Sequence, residues 1–310
     1  MSDVARAAGV SAATVSRALR GEPGVSEATR RYVTEVAKRM RYAIARDASS
    51  LAGGRRYAVA VLTADVGRGD LLAGAEGALR AAGYDVLLYV LRDADARARF
   101  FDELPPLGRR VDGVLALSAH LTDDERAALD ALSAPVVEVR DDDLGDALRL
   151  AAGHLRELGH REVALVLAED VDEPYGELLT GAGLAVRPEW TLWSSPTVAG
   201  GEQVADALLD GDRLPSAVVC ANGEVALGVF LRLRRDRRDV SVVGLDGSDL
   251  ARAVGLTAVE PAWRELGEHA VGALLAGLRG ESHDVPPPPP RLVVRESTSR
   301  PDRELPPTIG

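Results

Sequence analysis

The chain has 310 residues and a single cysteine, Cys220. A lone thiol excludes an intramolecular disulfide, a CxxC redox pair and a multi-cysteine zinc site. Nowhere do about 18 uncharged apolar residues run together, so no transmembrane helix is expected. Asp3 and Arg6 stand where a secretory leader needs an apolar core, which points to a cytoplasmic address. Aromatics are scarce, with three Trp, six Tyr and three Phe. A site that depends on stacked rings has little to draw on. The five histidines are scattered without HExxH spacing, so no metal is expected. A GxxxxGK[ST] phosphate loop and a GxSxG nucleophile elbow are both missing. With no catalytic constellation, the chain is not expected to be an enzyme or to carry a cofactor.

What is present fits a globular protein, 46% apolar and 27% charged. The net charge of −11 argues against a polyanionic partner until its distribution is read. Residues 1–56 hold 11 basic and 5 acidic side chains, a net +6, and the remainder carries −17. A small basic head on a large acidic body points to polyanion binding at one end.

Three helices are predicted in the first forty residues. Val4, Ala5 and Ala8 fall at helical spacing over 1–8, and Gly9 suits the left-handed position after a helix. Ser11 can cap a second helix over 12–19, with Val15 and Leu19 on one face. Gly21-Glu22-Pro23-Gly24 breaks the chain. Ser26 can cap a third helix to about Met40, with Val33, Val36 and Ala37 inside. Two short helices, a glycine turn and a supporting helix describe a helix-turn-helix. Ala12, Ala13, Ser16, Arg17 and Arg20 then face outward, with Ser11 and Thr14 near the DNA backbone. Arginine can pair with guanine, alanine methyls can meet thymine methyls, and hydroxyls can hold phosphates. On spacing alone, the same pattern also fits an ordinary three-helix bundle with solvated arginines.

Asp3-Val4-Ala5-Arg6-Ala7-Ala8-Gly9-Val10-Ser11, Thr14-Val15-Ser16-Arg17-Ala18-Leu19, Val25-Ser26 and Thr29-Arg30 together resemble the DNA-binding head of the LacI/GalR transcription regulators. The resemblance implies that 46–54 is a hinge helix that folds on operator DNA. Leu51 would be its minor-groove wedge, and Ala48 the small residue where two hinges meet. The chain departs from the family pattern at Ile44-Ala45, since Ala45 cannot cap that helix as asparagine would. A plain tether is the other reading. A start upstream of Met1 stays open.

From residue 57 short apolar runs alternate with amphipathic stretches. Strands are predicted at 57–63, 86–90, 111–117, 136–139, 163–167, 217–220 and 240–243. Helices are predicted at 71–82, 93–104, 123–132, 145–158, 201–209, 224–236 and 262–278. Near-continuous apolar strands between helices mean parallel sheets covered on both faces. The resemblance continues through His154-Leu155-Arg156-Glu157-Leu158-Gly159-His160-Arg161, Asn222-Gly223-Glu224, Asp239–Ser248 and Leu292–Thr298. It implies an all-α helix-turn-helix head on an α/β body of two parallel-sheet subdomains, like the periplasmic sugar-binding proteins. The implied units are 1–45 for the head, 46–54 for the hinge, 55–300 for effector binding and dimerisation, and 301–310 for a flexible tail.

Asn222 and Asp246 are implied to line the pocket between the subdomains, with Asp143, Asp146 and Trp193 as further pocket candidates. The first-strand loop, Asp65-Val66-Gly67-Arg68-Gly69-Asp70, lacks the family's aromatics, and Tyr175–Gly181 lacks its arginine. Losing those groups removes stacking and hydrogen bonds that a polyol needs. The expected protein is a homodimeric repressor on a pseudo-palindromic operator in double-stranded DNA, gated by a sugar-like or atypical effector. Two readings stand beside it: a DNA-binding regulator whose pocket no longer senses a ligand, and a solute-binding receptor. The expected location is the cytoplasm, at the nucleoid.

Overall fold

The computed structural model describes residues 1–20, 23–40, 55–64, 68–140, 144–168, 175–247 and 249–301. The head holds α1 (Ser2–Ala8), α2 (Ala12–Arg20) and α3 (Glu27–Arg39). Gly9 ends α1 at φ 65°, where its N–H closes back onto the Ala5 and Arg6 carbonyls. Ser11 Oγ accepts the Thr14 N–H at 3.1 Å, and Ser26 Oγ accepts the Thr29 N–H at 3.2 Å. Val4, Ala5, Ala8, Val15, Ala18, Val33, Val36 and Ala37 form one buried cluster. Leu19, expected inside, is only partly buried, and Ala18 takes the inner position. The small core leaves little apolar surface to spare, so side-chain clamps add to it. Arg30 is one of them, donating to the Arg17 and Ala18 carbonyls at the end of α2.

The first body sheet contains β1 (Ala58–Thr63), β2 (Asp85–Val90), β3 (Gly113–Leu117) and β4 (Val136–Val139). Their order is β2-β1-β3-β4, and every pair is parallel. Val59 and Val61 face α4 (Gly69–Ala81) and α13 (Trp263–Arg279), while Ala60 and Leu62 face the opposite layer. That layer is α5 (Ala94–Asp102), α6 (Leu104–Leu107) and α7 (Asp123–Asp130). Burial of both residue parities explains why the strands read as unbroken apolar runs.

The second subdomain repeats the plan. It contains α8 (Gly145–Leu158), β5 (Glu162–Ala168), α9 (Tyr175–Gly181), β6 (Ala185–Ser194) and α10 (Val198–Leu209). It continues with β7 (Ala217–Cys220), α11 (Gly223–Arg235), β8 (Ser241–Gly244), α12 (Asp249–Ala253), β9 (Thr257–Glu260) and β10 (Arg291–Val293). The sheet order is β10-β9-β8-β7-β5-β6. All its pairs are parallel except β10 on β9. Helices α8 and α9 cover one face, and α10 and α11 cover the other. Between α10 and α11 the backbones approach so closely that a Cβ on Gly228 would lie 2.0 Å from the Val198 carbonyl oxygen.

The chain passes between subdomains at three places. It leaves the first sheet after β4, returns with α13 after β9, and leaves again through 281–290 to reach β10. Helix α13 thus belongs to the first subdomain although it follows the second sheet in sequence. Both sheets change strand direction of growth at their first strand, between β1 and β3 and between β5 and β7. A parallel sheet offers its ligand crevice at such a point, outside the carboxyl ends of the strands.

Candidate nucleic-acid interface and interdomain cleft

The outward surface of α2 follows from its buried positions. With Val15 and Ala18 in the core, Ser11, Ala12, Ala13 and Arg17 are exposed, and Thr14 and Ser16 are half-buried. Arg20 closes the same helix. Ser11 Oγ also lies 2.9 Å from Thr14 Oγ1, so the two hydroxyls sit together at the helix start. Ala48 and Leu51 lie outside the described residues.

The chain enters the body at a joint that sequence reading missed. The Arg56 N–H lies 2.8 and 2.9 Å from the two Asp112 carboxylate oxygens, and the Tyr57 N–H donates to Oδ2 at 2.6 Å. Asp112 is buried, one residue before β3. Tyr57 takes a left-handed φ of 54°, a strained conformation for an aromatic residue that those bonds hold in place. One carboxylate therefore holds two successive N–H groups where the chain joins the first sheet, and the Arg56 Nε–H adds a bond to the Arg109 carbonyl at 2.7 Å.

At the carboxyl ends of the strands, residues far apart in sequence converge. Asn222 follows β7, and its Oδ1 accepts the Glu224 and Val225 N–H groups at 2.8 and 3.1 Å, capping α11. The side-chain NH2 is a donor that this cap does not use. Asp246 follows β8. A Cβ on Gly223 would lie 2.6 Å from the Asp246 carbonyl oxygen, so glycine is what lets these two turns touch. Asp246 Oδ2 lies 3.4 Å from Arg68 Nη1, which enters from the first subdomain just before α4. The Arg68 guanidinium also stacks over the Trp263 ring, 4.2 Å from its centroid. Ser118, at the end of β3, has a left-handed φ of 48°, and its buried Oγ has no hydrogen-bond partner among the described residues.

The loop after β3 is held from behind. Arg97 donates to the Ala119 and His120 carbonyls at 3.0 Å each, and pairs with Glu125. Burial alone would raise the Glu125 carboxyl, but Arg97 and the Thr122 N–H together hold it below the usual range. It stays ionised, and the loop stays anchored. Cys220 is fully buried at the end of β7, and burial pushes its thiol far above the ordinary range. It is not a nucleophile at neutral pH.

Two of the other pocket candidates, Asp146 and Trp193, lie among the described residues. Asp143 lies outside the described residues. Asp146 sits in the first turn of α8, 76% exposed and paired with Arg149 at 2.6 Å. Trp193 is near the carboxyl end of β6 and 54% exposed, so it is not a core residue; Trp190 fills that role at 4%. Arg68, Trp263 and Ser118 are site residues that sequence reading missed. The first lies within a loop named for the aromatics it lacks, and no local pattern places Trp263 near Arg68.

The terminal motif proves to be a structural weld. Ser297 Oγ accepts the Thr257 N–H at 2.7 Å and donates to the Val242 carbonyl at 2.6 Å. Thr298 Oγ1 meets His154 Nε2 at 2.9 Å, and the His160 Nε2–H donates to the Ser299 carbonyl at 2.9 Å. Arg295 pairs with Glu260 at 2.6 Å. These motif residues hold the second sheet together rather than line the cleft.

Residues 1–43 match the family model described as bacterial regulatory proteins, lacI family. Residues 152–298 match one described as a periplasmic binding protein-like domain. The chain is 28% identical to catabolite control protein A of Priestia megaterium, over 96% of this chain and 98% of that one. It is 29% identical to the transcriptional repressor PurR of Vibrio cholerae serotype O1, over 91% and 92%. Among solved structures it resembles a Lac repressor dimer bound to operator and the anti-inducer ONPF. That likeness has a TM-score of 0.74, 25% identity, and coverage of 96% and 98%.

Proposed function

We infer that the chain is a LacI-family bacterial regulatory protein, a sequence-specific DNA-binding transcriptional regulator and a repressor gated by a small molecule in its interdomain cleft. The observation that carries the inference is the exposed face of α2, where Ser11, Ala12, Ala13 and Arg17 surround a helix buried on its other side by Val15 and Ala18. Arg17 and Arg20 read base edges in the major groove; Ser11, Thr14 and Ser16 hold phosphates; Ala12 and Ala13 meet thymine methyls. The protein acts as a homodimer, because two-fold protein symmetry matches a pseudo-palindrome. Residues 1–45 are the DNA-reading unit, 46–54 the hinge and 55–300 the effector and dimer unit. Leu51 wedges the minor groove where paired Ala48 residues let two hinges meet. The protein works in the cytoplasm and catalyses no reaction.

Gating follows from how the units are joined. Closing the cleft rotates one sheet against the other, and Asp112 passes the movement of the first sheet to the tether at Arg56 and Tyr57. A ligand that binds the open and closed clefts unequally then changes the spacing of two heads on one duplex. Asn222 and Asp246 contact that ligand. Fluorescence anisotropy on a duplex drawn from DNA flanking its own gene tests this, with fractionated small-molecule cell extract titrated in at fixed salt. A fraction that shifts binding supports the gate. Tight specific binding that no fraction moves supports the second reading, a regulator whose cleft no longer senses a metabolite. What favours that reading is the Arg68–Asp246 contact, which engages a ligand-facing carboxylate from within the chain.

A further inference from the structure

We propose that the body makes a DNA contact of its own: Arg109 and Arg110, beside the point where the chain enters the first sheet, take backbone phosphates of the operator. The proposal rests on the reading above that Leu51 enters the minor groove, and it adds a contact outside the head and the hinge. It begins from how the two arginines are presented. Leu104 and Leu107 of α6 are buried, and so are Val111 and Asp112 ahead of β3. The Leu107 carbonyl accepts the Arg110 N–H at 2.7 Å and the Val111 N–H at 3.2 Å. That turn lifts Arg109 and Arg110 out of the core as an exposed pair between buried neighbours. Among the described residues neither side chain pairs with a carboxylate. The nearest acid in sequence, Asp112, already takes the Arg56 and Tyr57 N–H groups.

Chain geometry brings the pair to the duplex. Arg56 is five residues past Leu51, so the two lie within about 18 Å of each other. Arg56 Nε donates to the Arg109 carbonyl at 2.7 Å, which ties the exposed pair to the end of the tether. A minor groove about 6 Å wide has a phosphate ridge on either side, and charges act over about 8 Å at physiological salt. The long arginine stem covers much of the remaining distance. No fixed guanidinium orientation is needed, because a phosphate ridge is met by a mobile cation as well as by a set one. Charge gives the contact its purpose. Residues 57–310 carry a net −17, which a duplex repels, so cations at the DNA end of this body offset a repulsion that cations elsewhere do not. In a homodimer one such pair stands on each side of the dyad.

The test uses the full-length chain and the duplex that it enriches from sheared DNA of its own organism, with affinity read by anisotropy across a salt series. Arg109→Gln combined with Arg110→Gln should lower the log–log salt slope by about 2, counting one phosphate per protomer at about 0.9 each. The variant then loses about tenfold less affinity than wild type between about 50 and 200 mM salt, having started weaker. Both side chains are exposed, and the Arg109 carbonyl survives the change, so Tm should match wild type. Arg109→Lys with Arg110→Lys keeps the charge and should keep the slope. Arg237→Gln with Arg238→Gln makes the same change of net charge in the second subdomain and should leave the slope alone. A slope unchanged in the Arg109/Arg110 glutamine pair overturns the proposal, as does an equal fall in the Arg237/Arg238 pair. A lowered Tm with an unchanged slope overturns it too, by placing the arginines in the fold instead. Enrichment of no duplex removes the regulator reading and the proposal with it, whereas an enriched duplex with an unchanged slope removes the proposal alone.

Discussion

Replacing Asp112 by alanine should loosen the joint between tether and body. The Asp112 side chain is 5% exposed and receives the N–H groups of Arg56 and Tyr57. A hydrogen bond to a charged group contributes about 1.5–3 kcal/mol, and a buried donor left unmet costs about as much. Two donors set an upper figure near ~6 kcal/mol. The Arg56 side chain reaches solvent, so water can reach its N–H and recover part of the loss. The expected loss is then about 2–4 kcal/mol. At roughly 2–4 °C per kcal/mol for a body of this size, Tm should fall by about 5–15 °C. All three tryptophans, Trp190, Trp193 and Trp263, lie in the body, so a fluorescence melt of the full chain reports that unit and not the head. Asp112→Asn should fall between, because one carboxamide oxygen still accepts. Operator affinity should drop in the alanine variant even below its melting range, as the heads lose their common anchor. A melt within about 1 °C of wild type would refute the role assigned to Asp112.

Arg17→Ala should relax base preference at the contacted position by about 1–3 kcal/mol while leaving nonspecific affinity nearly intact, read by anisotropy across operator variants. Gly228→Ala should destabilise the second subdomain by about 1–3 kcal/mol in urea titrations, because its Cβ would meet the Val198 carbonyl oxygen at 2.0 Å. Stability should also fall in mild acid. Burial lowers the His160 imidazole from its ordinary value, against the opposing Ser299 carbonyl, and His154 is lowered by burial too. The unfolded chain takes up these protons at about pH 6.5. The stability these groups contribute is therefore complete above that pH and is lost as pH falls toward the folded values. Melts between about pH 8 and pH 5 should show Tm falling below about 6.5; a flat profile there would contradict the burial of neutral imidazoles.

Legibility in the sequence followed the range of the forces. The head was readable because its caps and core spacing are local: Ser11, Gly9 and Ser26 act within three or four residues of themselves. The parallel strands were readable because both their faces are buried. Strand β6 was missed. It is an edge strand with Pro188 and Glu189 inside it, and its pairing with β5 jumps from Val163↔Val186 to Leu165↔Thr191. Proline is tolerated at such an edge because no ladder hydrogen bond is required of it there, and the break hides the alternation. The cleft was legible only in its motif residues, Asn222 and Asp246. Arg68 meets Asp246 across the subdomains and Trp263 lies under Arg68, and no spacing within one segment encodes contacts made that way. Asp112 was read as part of a strand, since a buried carboxylate that anchors incoming backbone has no local signature.

The most direct test of the central claim is selection of bound duplexes from sheared DNA of the organism that encodes this chain, followed by anisotropy on the enriched sequence across a salt series. The expected result is a pseudo-palindrome with two half-sites. Its affinity should fall steeply with salt, and one half-site alone should bind far more weakly. Enrichment of no common sequence, or equal affinity for a single half-site, would contradict a dimeric regulator that reads DNA through α2.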